Sequence, residues 1–528
     1  MKSIDKSTEE LNKKNITKYI VYLILIVGIL VRIVGITNFP NALNCDEASA
    51  GYDAYSILNY GIDRNGNVMP AFLVAWGSGQ NALLSYLMIP FIKIFGLNLL
   101  SVRLPMAILS SVSLIIMYLL LKKLSNKKLA LIGLTFFAIC PWHIMKSRWG
   151  LESNLFPDLI LIFVYLLIKG IEDKNKIIYY LSFVIAGISA YAYGTSYFFL
   201  PFFIIPALIF LLRKKQITIK QAILSLLIVG IVSLPIILMV IINTFDLQQI
   251  NLPFLTIPKM EVNRFQVMTS VFSSEFLSTS ISNFVESLKI LILQTDNLPW
   301  NSIVPFGIIY IFSGVFTILG IINAFAKNKK IEIKYNWIFN VWFIVTIILA
   351  FICEPNINRL NIMMIPIIYY TIVGIYMIVD YFERKKLKVI NILILVLYIA
   401  FFVAFIVSYL KQDWNEYGTF EAGLEDVMEY VDTIENKEIH ITNTIKESYI
   451  YTLFYTKYDT RDFVETVEYQ NPNAEFKKVL SFGNYKFEKI DEIQDGNVYV
   501  IKKEDRDNYN LENYKVTEFE KYIVVEQE

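Results

Sequence analysis

Residues 44–63 read NCDEASAGYDAYSILNYGID and hold four carboxylates, Asp46, Glu47, Asp53 and Asp63, interleaved with tyrosines. A fixed carboxylate can take a proton from a hydroxyl, grip a cation or cap a helix. Asn44 suits a helix cap with Glu47 at the third helical position, and acids in a first turn suit the helix dipole. Capping accounts for Asp46 and Glu47 but leaves Asp53, seven residues after Asp46 and so on nearly the same face, as a candidate lining residue. A second group lies in CPWHIMKSRWGLESN, residues 140–154. There Arg148 and Glu152 stand at i, i+4 beside two tryptophans. They read either as a surface salt bridge in an aromatic belt or as a second acidic wall facing the first. Arg103 in LLSVRLP, Arg264 in PKMEVNRFQ and Arg359 in EPNINRLNIMMIP sit at the ends of apolar runs. Each alone could be a snorkelling side chain; together they offer forked donors for phosphate oxygens.

The elements that must position these groups are membrane helices. The chain has 528 residues, 55% of them hydrophobic, with apolar runs near 20 residues recurring along most of its length. Each such run can cross a hydrocarbon core of ~30 Å. The first, preceded by lysines, is too long for a signal-peptide core and reads as a retained span. Candidate spans are 17–36, 101–121, 129–145, 153–169, 177–193, 196–212, 221–242, 303–325, 335–352, 359–380 and 388–410. With these eleven and the N-terminus inside, the basic clusters before residue 19 and at 121–128, 169–176, 213–220, 326–334 and 383–388 all fall inside, as basic loops should. The segment NALLSYLMIPFIKIFG, 81–96, is short and carries Pro90 and Lys93. Were it to cross, the later clusters would all flip, so it is expected to lie on the outer surface. That leaves 37–100 as one external loop, with 146–152, 243–302 and 411–528 outside as well.

The tail, 411–528, is rich in Glu, Lys, Asn and Tyr. FEAGLEDVMEYVDTI has helical spacing with Leu424, Val427, Met428 and Val431 on one face, while KEIHITN, GNVYVIKK and KYIVVEQ read as strands. The expected fold is therefore an all-α polytopic membrane region of about eleven transmembrane helices, 1–410, followed by a small external α/β domain, 411–528.

Composition also excludes. A net charge of +1 gives no bias toward nucleic acid, and three cysteines (Cys45, Cys140, Cys353) lie too far apart for a metal or disulfide framework. Two histidines preclude chemistry built on several, and no Walker loop, HExxH or GxSxG is present. YAYGTSYFF, 191–199, offers rings for interfacial anchoring or for stacking on a sugar.

The Asp-Glu pair in a long first external loop, SVRLP opening the next span, SRWGLESNLFP and the eleven-span pattern together resemble the GT-C glycosyltransferases. The nearest branches are the bacterial relatives of protein O-mannosyltransferases and of lipid A aminoarabinose transferases. The similarity covers roughly 17–410 and is strongest over 44–158. It implies that Asp46 is the acceptor-side base and that the sugar arrives on a polyprenyl phosphate. It further implies that Glu152 is the second-loop acid, where the family often has Asp, and that Arg359 engages the lipid phosphate. Glu47, Asp53, Arg103, Arg148 and Arg264 are the remaining candidate substrate-binding residues. The tail has no counterpart that can be matched residue by residue.

Chemistry fits this implication. The external face of a membrane has no nucleotide sugars, so a lipid-linked donor is the sensible substrate. Its phosphate is a leaving group that arginine stabilises as it departs. Direct displacement at the anomeric carbon would invert configuration. The expected setting is a bacterial plasma membrane, with membrane lipids around the spans, the N-terminus cytoplasmic and the tail external. The acceptor is a protein, a lipid or a cell-wall polymer. The sequence establishes no cofactor, and the acidic residues admit a divalent metal. The competing readings are a transporter or flippase for a lipid-linked or polar envelope substrate, and an envelope scaffold. A transporter should place ionisable residues along a path through several spans, yet only Arg32 and Asp158 interrupt the predicted spans at mid-depth.

Overall fold

The computed structural model describes residues 2–75, 79–261, 275–414, 420–474 and 477–527, with side chains from residue 15 onward. Its first helices are α1 (Lys2–Ile33), α2 (Cys45–Tyr60), α3 (Leu83–Phe95), α4 (Leu99–Leu124), α5 (Lys127–Ile139), α6 (Pro141–Ser147) and α7 (Leu155–Glu172). They are followed by α8 (Lys176–Ile188), α9 (Ser196–Arg213), α10 (Ile219–Val232), α11 (Leu234–Thr244), α12 (Phe276–Leu293), α13 (Gly314–Phe325), α14 (Asn336–Ile352), α15 (Ile357–Arg384) and α16 (Lys388–Lys411).

Among the described residues seven helices are long and apolar enough to cross a membrane, or nine if α5 with α6 and α10 with α11 are each one bent span. The bends are 56° and 65°. Each falls just before or beside a proline, Pro141 or Pro235, whose missing N–H and ring break the helix ladder. Three more of the eleven expected spans are present as the shorter apolar segments Lys176–Tyr191, Ile311–Phe325 and Asn336–Ile352. Close helix contact compensates for modest length. Built on Gly320, a Cβ would lie 1.9 Å from the Tyr370 carbonyl oxygen, and on Gly374 1.9 Å from that of Phe316. Glycine at both positions is what lets α13 and α15 touch backbone to backbone.

Four of the basic clusters gather on one face of the bundle. Lys123 pairs with Glu172 and Asp173, Lys128 with Glu383 and Asp380, and Lys334 with Glu172. The opposite face carries the tail. Helix α3 follows just after Asn81, which bonds Glu152 there, and ends on the same face, where Ser101 Oγ donates to the Gly96 carbonyl at 2.6 Å. It begins and ends on one face, so it does not cross. Helix α12, expected inside a loop, passes the length test for a span. Yet Phe284 stacks on Phe351 at the tail-face end of α14, and Asp296 accepts from the Ile357 N–H at the start of α15. Those ties hold its second half on the tail face.

The tail contains α17 (Leu424–Asp432), α18 (Ser448–Thr456) and α19 (Thr460–Thr466) beside a seven-stranded mixed sheet. Leu424, Val427, Met428 and Val431 are buried, as their spacing predicts. The strands expected from KEIHITN, GNVYVIKK and KYIVVEQ form the central part, Ile439–Thr442, Val498–Lys502 and Tyr522–Gln527. The first two pair in parallel and the last two antiparallel.

Candidate active site

Asn44 caps α2 as expected. Its side chain accepts from the Asp46 N–H at 2.8 Å, the Glu47 carboxylate accepts from the Asn44 N–H, and Gly61 closes the helix in a left-handed conformation. The two acids then part company. Glu47 is fully buried, with Oε1 accepting from Arg103 Nε at 2.7 Å and the Gly150 N–H at 2.8 Å, and Oε2 from Arg103 Nη2 at 2.8 Å. Arg103 is equally buried, and its remaining donors go to the carbonyls of Ile36, Pro40 and Ala42. Against expectation, neither has capacity left for substrate: the pair is a clasp tying the first loop, the second loop and α4 together. Asp46, next in the chain, remains half-buried.

Asp53 is also corrected. It is fully buried, accepts from the Arg64 N–H at 3.1 Å and pairs with the Arg64 guanidinium at 3.2 Å. Arg64 Nη1 donates to Ser49 Oγ at 2.8 Å, Ser49 Oγ to Gln80 Oε1 at 3.2 Å, and Gln80 Nε2 approaches the Asp46 carbonyl at 3.5 Å. Asp53 therefore stands behind the candidate site rather than lining it. Burial raises its carboxyl against the opposing pull of Arg64, and burial with the nearby Asp53 charge pushes Asp63 up to about 7.

Arg148 does not pair with Glu152. Its guanidinium donates to the carbonyls of Val31, Val34, Gly35 and Phe39 and lies over the Tyr409 ring. It is a cation at the carbonyl end of α1, where the helix dipole favours positive charge. Glu152, 5% exposed, instead accepts from the Asn81 N–H across the gap to the first loop. Asn81 follows Gln80 directly, so one dipeptide joins Asp46 on α2 to Glu152 before α7. The Asn81 Oδ1 accepts from the Tyr197 hydroxyl at 2.6 Å, which brings in the YAYGTSYFF stretch.

Asn361 anchors the start of α15 to the same loop, accepting from Trp142 Nε1 at 2.7 Å and donating to Asn154 Oδ1 at 3.0 Å. Arg359, two residues earlier, keeps a 30% exposed side chain with Nη1 on Glu354 at 2.6 Å. Arg264 lies outside the described residues. Sequence reasoning passed over Gln80, Asn81, Tyr197 as a partner, and Asn361. The available signal was the polar QN pair set directly against the apolar run 82–92.

Below this layer Lys146 Nζ meets Asp158 Oδ2 at 2.6 Å, and His143 bridges Asp158 at 3.2 Å to Arg32 at 2.7 Å. Arg32 also donates to the carbonyls of Gly28, Phe137 and Ala138. The two mid-depth charges noted in the sequence thus belong to one closed network, which pins α6 and hence the second loop. Among the described residues no three His, Cys, Asp or Glu side chains come together as a metal site.

This arrangement has counterparts. Residues 81–242 match the family described as dolichyl-phosphate-mannose-protein mannosyltransferase. The fold is that of ArnT from Cupriavidus metallidurans, solved bound to undecaprenyl phosphate, with a TM-score of 0.58 at 10% identity over 96% of this chain and 97% of that one. Its apo form gives 0.55 at 11% identity. The oligosaccharyltransferase of Archaeoglobus fulgidus, in complex with Zn and sulfate, gives 0.54 at 12% identity over 83% of this chain and 61% of that one. No curated protein sequence matches. The resemblance read from the sequence is borne out. In fold the chain is similar to ArnT along nearly its whole length.

Proposed function

We propose that this protein moves a sugar from a polyprenyl-phosphate donor to an acceptor at the tail face of the membrane, with Asp46 as the base and inversion at the anomeric carbon. The observation that carries the reading is the sorting of the acids. Glu47 is fully occupied by Arg103, while Asp46 stands half-buried beside the dipeptide that reaches Glu152. A carboxylate so placed can accept the acceptor's proton as its oxygen attacks the sugar. Glu152, held by Asn81, would keep the opposite wall negative and favour the cationic character that develops at the sugar carbon. The undecaprenyl phosphate bound by the similarly folded ArnT supports a lipid-phosphate donor. The buried Arg32–His143–Asp158–Lys146 network is satisfied within itself, which weighs against a transport path along those residues. The test is transfer of labelled sugar from polyprenyl-phosphate donors in membranes with and without the protein. Equal incorporation in both would end the reading.

Arg359 is the arginine best placed to meet the departing phosphate, since only its Nη1 is engaged by Glu354 and its side chain is partly open. Arg359→Lys keeps charge but loses the planar fork and should weaken donor use; Arg359→Ala should weaken it further, with normal insertion. Wild-type donor kinetics in both variants would reduce Arg359 to an anchor.

The orientation follows from the shared basic face. If that face is cytoplasmic, as the distribution of lysine and arginine favours, the tail is external. Single cysteines at 127 and 500 should then label from inside and outside respectively in intact cells. External labelling at 127 would invert the assignment.

A further inference from the structure

Asn81 is 1% exposed, and among the described residues its Nδ2 has no hydrogen-bond acceptor, a costly state for a buried amide. Its other groups are fully engaged: the main-chain N–H goes to Glu152 and Oδ1 takes the Tyr197 hydroxyl. With Oδ1 turned to the Tyr197 hydroxyl at 2.6 Å, the NH₂ points the other way. Both partners belong to the membrane end of the site. Tyr197 is the second residue of α9, and Glu152 opens the short helical turn that leads into α7.

We propose that Asn81 Nδ2 donates a hydrogen bond to an oxygen of the sugar carried by the lipid donor, so that Asn81 is a substrate-contacting residue that orients the sugar between Asp46 and Glu152. The inference rests on the donor reading above. A neutral amide suits a hydroxyl or ring oxygen, and it leaves the charge balance between the two acids undisturbed. A donor entering from the bilayer reaches this level sugar first, whereas the phosphate stays with the lipid. The locked amide also explains why Tyr197 is present as tyrosine: its hydroxyl fixes which amide atom faces the substrate.

The experiment is direct binding of four probes to the purified full chain: undecaprenyl phosphate, and undecaprenyl phosphates carrying mannose, glucose or aminoarabinose. Asn81→Ala keeps the main-chain bond to Glu152. It should weaken the preferred sugar lipid about tenfold, the usual worth of one such bond, and leave bare undecaprenyl phosphate unchanged. Asn81→Asp, the same size but without the donor and adding charge beside Glu152, should weaken the sugar lipid more, and Tyr197→Phe less. Unchanged sugar-lipid binding in Asn81→Ala and Asn81→Asp overturns the inference. So does an equal loss on bare lipid, which would make Asn81 a structural residue only. If the wild type binds all four probes equally, the donor reading itself falls and takes this inference with it.

Discussion

Asp46→Asn should lower sugar transfer by a factor on the order of 10²–10⁴, the usual worth of a positioned general base. The substitution is nearly isosteric, and the contacts that Asp46 makes through its own backbone, the N–H to Asn44 and the carbonyl to Gln80, survive it. The helix cap therefore stays, and unfolding temperature should change little. A capping role predicts the reverse, with near-normal turnover and any deficit in stability. Turnover measured on equal amounts of folded protein separates the two, and full activity would remove Asp46 as the base. Asp53→Asn should cost less, because Asp53 reaches the site only through Arg64, Ser49 and Gln80.

Arg103→Ala should be the most destabilising change at this face, by about 3–5 kcal/mol, because it leaves the Glu47 charge buried without its partner. Three carbonyls, of Ile36, Pro40 and Ala42, lose their donor at the same time. Arg103→Lys should recover little, since one ammonium cannot reproduce a fork that serves two carboxylate oxygens and three carbonyls. Thermal unfolding in detergent reads this directly. Were Arg103 instead a phosphate ligand, Arg103→Ala would unfold like the wild type and fail only in donor binding.

The helices and their faces were legible because membrane burial imposes long apolar runs and basic clusters on one side. The same rule kept 81–96 out of the bilayer from its charge consequences alone, and α3 does begin and end on one face. Length was less legible. Segments such as Lys176–Tyr191 are held by packing against neighbours, which hydropathy does not see, and α12 has a span's composition while tied at Phe351 and Ile357 to the tail face.

At the site, sequence reading found the acidic loops but not how the charges sort. Arg103 and Arg148 have the composition of phosphate ligands and the geometry of braces. Nothing local to SVRLP or KSRWG tells whether a guanidinium will face a loop of carbonyls or open water. That depends on where residues 31–42 turn, a matter of tertiary packing. Gln80 and Asn81 were overlooked for a related reason. Amides have no titration or motif to announce them, and their role comes from which two loops they happen to bridge.

The first loop also leans on the far end of the chain. Tyr52 of α2 donates to the Tyr458 carbonyl at 2.8 Å, Gly51 leaves room for the Phe454 ring, and Asn44 pairs in a β-bridge with Phe420. In the order of synthesis, α2 is made some 400 residues before the partners that cover it. During translation the helix bearing Asp46 must wait at the membrane surface, capped but uncovered, while every span behind it is inserted. The tail thus acts as the closing piece of assembly, and a chain released early would hold Asp46 without the surface that sets its position.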